Sequence, residues 1–274
     1  MNYKIVKVFD INYPQVINNF EREQNCLSLN YSAHLNKFLD EYNIETPGFS
    51  KKMFLLGNPS NDIIYNYYDL QIKWQKENNI SLDQELSFQD KLYYIFEKQI
   101  SYLKPEIIFF RTQPSFDSKK IINLKEKFKF IKKIICHNGF PSKNLQNIDL
   151  IFSSSPALND FYKNQGLKSM LLYHSFDENI LSKVNNNTKK DNIIFCGQTG
   201  DTKSAHYKTR FDYLNDLLSH DFPINCHSSE FFENPNKIIS NNLKQNIRNS
   251  LIKLFGNKLK STLRKINIKL KNNK

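Results

Sequence analysis

Ile193-Ile194-Phe195-Cys196-Gly197-Gln198-Thr199-Gly200 runs from four mostly apolar residues straight into a polar loop bounded by glycines. The helix-forming stretch Tyr207-Lys208-Thr209-Arg210-Phe211-Asp212-Tyr213-Leu214-Asn215-Asp216-Leu217-Leu218 comes next. A short apolar strand, a glycine turn and a helix in that order open a β-loop-α unit. Standing this far along the chain, the unit predicts a second α/β domain. The 74 residues after Gly200 fall short of the roughly 100 to 150 that a complete domain of this kind needs. The expectation is a domain that begins and does not finish.

Working outward, Lys183 to Asp191 is polar and aperiodic, which marks it as a linker. Upstream of it, short apolar runs at Tyr3 to Phe9, Glu106 to Phe110, Lys132 to Cys136, Asp149 to Phe152 and Lys168 to Tyr173 read as strands, as does Asn192 to Cys196 downstream. Helical patterns separate them at Tyr13 to Asn25, Tyr31 to Tyr42, Ile63 to Glu77, Phe88 to Leu103, Lys119 to Phe128 and Ala157 to Gln165. Two-sided apolar strands alternating with helices predict a doubly wound, mostly parallel sheet of α/β, Rossmann-like class. The organisation expected is a first domain at 1–182, a linker at 183–191, a partial second domain at 192–240 and a basic tail at 241–274. No internal repeat occurs.

Apolar residues make up 39% of the 274 and aromatics 14%, which excludes a disordered chain. No apolar run approaches the roughly 20 residues of a membrane span, and the N-terminus lacks a signal-peptide core. A cytoplasmic location is the expectation. Cys26, Cys136, Cys196 and Cys226 lie far apart with no CxxC pair, so neither disulfides nor zinc is expected. His220, Cys226 and His227 are close in sequence but lack a usable fourth ligand.

The net charge of +12 is concentrated at one end. Ten basic residues and no acidic ones lie between Asn241 and Lys274, so the remaining 240 residues carry only +2. Leu251, Phe255, Leu259, Leu263, Ile266 and Leu270 recur at helical spacing opposite Lys253, Lys260, Arg264 and Lys271. Such a basic amphipathic stretch over 251–271 suits an anionic membrane surface, giving a peripheral place on the inner face of the membrane. It equally suits an ordinary helix packed on the body of the protein. No aromatic residue interleaves with the basic ones after Phe255, which argues against nucleic acid.

Ligands of open parallel sheets bind at the carboxyl ends of the strands. Those ends carry Asp10; Arg111, Thr112 and Gln113; His137, Asn138 and Gly139; Ser153, Ser154 and Ser155; and His174 and Ser175. Asp10, Arg111, Asn138, Ser153, Ser154 and Ser155 are therefore the candidate substrate-binding residues. His137 and then His174 are the candidate bases. Polar loop chemistry explains any one of these singly, and Ser153-Ser154-Ser155-Pro156 also reads as a helix N-cap with proline in the first turn.

The order and spacing of several segments resemble a family. Tyr31-Ser32-Ala33-His34-Leu35-Asn36-Lys37-Phe38-Leu39-Asp40-Glu41-Tyr42, then Asn66, Leu70-Gln71 and Trp74, then Gln99-Ile100 with Lys104-Pro105-Glu106-Ile107-Ile108 are similar to the N-terminal half of bacterial GT-B-fold glycosyltransferases. The group is that of the spore-maturation-protein-like enzymes. Asp149-Leu150-Ile151-Phe152-Ser153-Ser154-Ser155-Pro156, Gly166-Leu167-Lys168, Phe176-Asp177 with Ile180-Leu181, and Phe195-Cys196-Gly197 with His206 and Arg210 continue the resemblance over about residues 1 to 218.

What the resemblance implies is a metal-independent hexosyltransferase without a cofactor, its first domain holding the acceptor and its second a nucleotide-sugar substrate. Gly197, Gln198, Thr199, Gly200, His206 and Arg210 fall on the donor side. An ion pair of Arg210 with Asp212 or Asp216 is an ordinary alternative. After Leu218 the sequence departs from the family pattern. A glycan, lipid-linked or protein acceptor is expected, with a partner chain to complete the donor domain. The competing expectation is a catalytically silent, glycosyltransferase-like scaffold that docks on a membrane or partner through its tail.

Overall fold

Ile5–Phe9 (β1) is buried along its whole length, as a strand covered on both faces must be. The computed structural model describes residues 2–12, 14–23, 26, 28–41, 48–142, 144–174, 181, 193–197, 205–220 and 224–227. The chain divides into two units, Met1–Asn185 and Asn186–Lys274. The division falls in the polar segment 183–191.

In the first unit β1 is followed by helices Pro14–Glu23 (α1), Tyr31–Glu41 (α2) and Gly48–Leu55 (α3), then by strand Ser60–Ile64 (β2). Helices Tyr68–Glu77 (α4) and Phe88–Leu103 (α5) lead to Ile107–Phe110 (β3), Ser118–Lys127 (α6), Lys133–His137 (β4) and Leu150–Ser153 (β5). Pro156–Asn164 (α7) and Ser169–Leu171 (β6) complete it. All pairings are parallel, in the order β2-β1-β3-β4-β5-β6. This is a Rossmann-like α/β sheet.

The period of two along the strands assigns each residue to a face. Val6, Val8, Ile108, Phe110, Ile134, Cys136 and Ile151 pack with Leu92, Phe96 and Ile100 of α5, Ile121 and Leu124 of α6 and Tyr162 of α7. Phe9 and Ile64 turn the other way, onto Phe20 of α1, Phe38 of α2 and Leu70 of α4. Lys7 and Asp62 are register partners on this second face. They form a buried ion pair at 3.2 Å.

One expectation is corrected. The helix expected from Ile63 starts only at Tyr68, because Ser60–Ile64 pairs with β1 as an edge strand. With only two apolar residues at its end, β2 carries no strand period of its own. Ile63, Tyr67 and Leu70 mimic helical spacing instead. Helix α3 also goes unpredicted from the sequence.

In the second unit Ile193–Cys196 (β7), Ala205–Ser219 (α8) and Ile224–His227 (β8) form a parallel βαβ unit. It runs one strand further than the sequence pattern suggested. Among the described residues no helix is long and apolar enough to cross a membrane. The basic segment 241–274 lies outside the described residues.

Candidate active site at the carboxyl edge of the sheet

The strand order reverses between β1 and β3: the chain runs from β1 outward to β2 on one side and from β3 to β6 on the other. At such a switch point the loops leave in opposite directions and open a crevice. Here it is lined by Asp10, Tyr65, Thr112, Gln113, Ser115 and Phe116, with a volume of about 10 Å³, room for one water.

Asp10 leaves β1 into this crevice. The Ser115 hydroxyl donates to its Oδ2, while its buried Oδ1 has no hydrogen-bond partner among the described residues. Burial lifts the carboxyl above its ordinary range; the Ser115 hydroxyl and the Asn66 N–H pull it back in part. The Asn66 side chain fixes the turn, accepting from Ile11 N–H at 2.8 Å and donating to Ile11 O at 2.9 Å. Ser115 and Asn66 were not among the sequence candidates. The only signal for Ser115 was a turn-forming Pro114 after a strand, and Asn66 was hidden by the false helix over Ile63 to Tyr67.

A second group lies along the same edge. Arg111 follows β3 directly, its N–H donating to Val8 O at 2.9 Å. His137 is the last residue of β4, and its ring meets that of His174, beyond β6, at 5.1 Å between centroids. His174 is exposed, while His137 is half-buried. Burial, reinforced by the neighbouring His174 and Arg111, holds the His137 imidazole below its ordinary value. Its Nε2 is buried without a hydrogen-bond partner among the described residues. A neutral imidazole with a free buried nitrogen is equipped to accept a proton.

The other rim candidates are engaged in holding the edge together. Asn138 is fully buried. Its amide donates to Phe140 O and to the Tyr162 hydroxyl, both at 2.8 Å. Ser153 Oγ accepts from Ser155 N–H at 3.3 Å, and Ser155 Oγ accepts from Leu158 N–H at 3.4 Å as the cap of α7. Ser154 stays half-exposed between them.

In the second unit Gly197 follows β7, where an added Cβ would meet the Phe195 ring at 3.3 Å. Arg210 is half-buried on α8. Gln198, Thr199, Gly200 and the His206 side chain lie outside the described residues. Among the described residues three metal-ligating side chains, Glu21, Cys26 and His34, converge. No protein-family model matches the sequence, and a search of curated proteins returns no significant match.

Proposed function

We propose that the protein is a glycosyltransferase of GT-B type, or the acceptor half of one, that transfers a sugar from a nucleotide-sugar to a glycan-bearing acceptor at the carboxyl edge of the first unit. The observation that carries this reading is the neutral, half-buried His137 beside Arg111 and His174 at the carboxyl ends of a parallel sheet. The βαβ unit 193–227, with Gly197 and Arg210 after its first strand, supports a nucleotide-binding second unit.

In this reaction the acceptor hydroxyl gives its proton to the His137 imidazole. The oxygen bonds to the anomeric carbon of the donor as the bond from that carbon to the diphosphate oxygen breaks, and the nucleoside diphosphate leaves with the electron pair. Arg111 offsets negative charge at the edge, and Asp10 with Ser115 binds acceptor hydroxyls. A base for the hydroxyl and cationic or N–H groups for the phosphates are the two things the displacement demands.

Calorimetry of the purified chain with uridine, guanosine and thymidine diphosphate sugars tests the reading. Heat with at least one donor, reduced in Arg210→Ala, is the expected result. No heat with any of them overturns it, and heat with glycans alone makes the protein a binding module.

A further inference from the structure

On the α1 and α2 face of the sheet, side chains that the transfer reaction does not use meet beside the apolar cluster. Glu21 comes from α1, Cys26 from the connection after it and His34 from α2. One carboxylate oxygen, the thiol sulfur and one imidazole nitrogen all lie within 4.8 Å of one another. Tyr67, at the start of α4, joins them: its hydroxyl lies 3.0 Å from His34 Nε2 and donates to Glu21. His34 Nε2 is also 3.0 Å from Glu21 Oε1.

The surroundings are built to hold this geometry. Cys26, His34 and Tyr67 are buried among Phe20, Phe38 and Leu70, while the Glu21 side chain remains 25% exposed and leaves a way in from solvent. The His34 ring is fixed by stacking on Phe20 at 5.8 Å and by the edge of Tyr67 at 5.4 Å. Lys73 pins the connection that carries Cys26, its Nζ donating to Cys26 O at 2.6 Å and Leu29 O at 2.8 Å.

Helix packing alone does not require a thiol, an imidazole and a carboxylate to converge in an apolar core, where unneeded polar groups are costly. We propose that Glu21, Cys26 and His34 bind a divalent cation of the zinc class, with the Tyr67 hydroxyl or a water as fourth ligand. Sulfur, nitrogen and oxygen donors together are the set zinc accepts. Tetrahedral bonds of the usual lengths put ligand atoms roughly 3.5 Å apart, so small side-chain rotations close the site. On binding, Cys26 releases its thiol proton to solvent, and Glu21 exchanges its hydrogen bonds for the metal. Thiolate and carboxylate then neutralise the two positive charges, which suits a buried place. The spacings of five and eight residues match no metal motif, so no sequence pattern signals the site.

The test uses the full chain, stripped with a chelator and titrated with cobalt(II) as a spectroscopic stand-in. The expected result is one cobalt per chain, with a thiolate charge-transfer band in the near ultraviolet and intense visible bands of tetrahedral coordination, all removed by added zinc. Cys26→Ser abolishes the charge-transfer band. Glu21→Gln, at a partly exposed position that spares the fold, weakens cobalt binding by more than the roughly 10- to 100-fold that loss of an outer-sphere partner costs. Cys226→Ser leaves the spectrum unchanged. Absence of the band in the unsubstituted chain, its survival in Cys26→Ser, its loss in Cys226→Ser, or undiminished affinity in Glu21→Gln overturns the proposal. The readout does not depend on transferase activity.

Discussion

Glu106 and Asp149, at the amino edge of the six-stranded sheet, each sit between a lysine and a backbone N–H. Glu106 pairs with Lys132 and accepts from Lys4 N–H at 3.1 Å, and these partners hold its carboxyl below the ordinary range. Asp149 pairs with Lys125 at 2.7 Å and accepts from Ile134 N–H at 2.7 Å. At the carboxyl edge Asp10 is pushed the opposite way, and both Asp10 Oδ1 and His137 Nε2 are buried without a hydrogen-bond partner among the described residues. Within one sheet, the carboxylates that precede β3 and β5 are thus paired, while the groups that close β1 and β4 keep a buried polar atom unsatisfied. Ion pairs that satisfy themselves stabilise a fold; groups left with spare hydrogen-bonding capacity are available to a ligand.

The largest effect expected from breaking this contrast is at His137. His137→Gln should lower turnover about 10²- to 10⁴-fold, the usual contribution of a general base, without lowering the melting temperature at neutral pH. The groups facing it are His174 and Arg111, and with burial they place its folded pKa below the unfolded value of about 6.5. The native state therefore binds fewer protons there than the unfolded chain. His137's share of stability is full above about pH 6.5 and is lost as pH falls below it. The acid limb of the activity profile should lie below that value too. Steady-state rates and thermal melts across pH check both, and an acid limb above it would contradict the assignment.

Next in size is the buried Lys7–Asp62 ion pair between β1 and β2, which lies within the sheet and not at either edge. Asp62→Ala should cost about 3–5 kcal/mol by leaving Lys7 buried and unpaired, and most of that should return in Lys7→Met/Asp62→Leu. Denaturant melts of the single and double variants measure it. At the amino edge Asp149→Ala should cost about 1.5–3 kcal/mol and leave ligand binding unchanged; a change in binding would erase the distinction between the edges.

The smallest effect has the opposite sign. The fold raises the Asp10 pKa, so its ionised form is penalised in the native state and the penalty applies at neutral pH. Asp10→Asn should therefore raise the melting temperature slightly at neutral pH, the familiar exchange of stability against function, while weakening acceptor binding. A drop in melting temperature would place Asp10 with Glu106 and Asp149.

The strands β1, β3, β4 and β5 were legible because each is a short, mostly apolar run between turn residues. The rim residues His137, His174 and Arg111 followed from knowing where those runs stop. What the sequence hid was β2, whose residues Ser60, Asn61 and Asp62 are polar and whose two isoleucines fit a helix equally well. Without β2 the sheet has no reversal of order, so the crevice between β1 and β3, and with it Ser115 and Asn66, had no place. The contact of His137 with His174 spans the end of β5, and the convergence of Glu21, Cys26 and His34 needs two helices to meet. Both are products of tertiary packing that local pattern does not encode.

Hydrogen exchange read by mass spectrometry, on the full chain with and without the nucleotide-sugar and glycan acceptor that give heat, tests the central contrast most directly. The carboxyl-edge assignment predicts slowed exchange in peptides covering 10–12, 111–116 and 137–140, with no change in those covering 104–106 and 131–133. Protection confined to the amino edge, or none in the first unit, would contradict it.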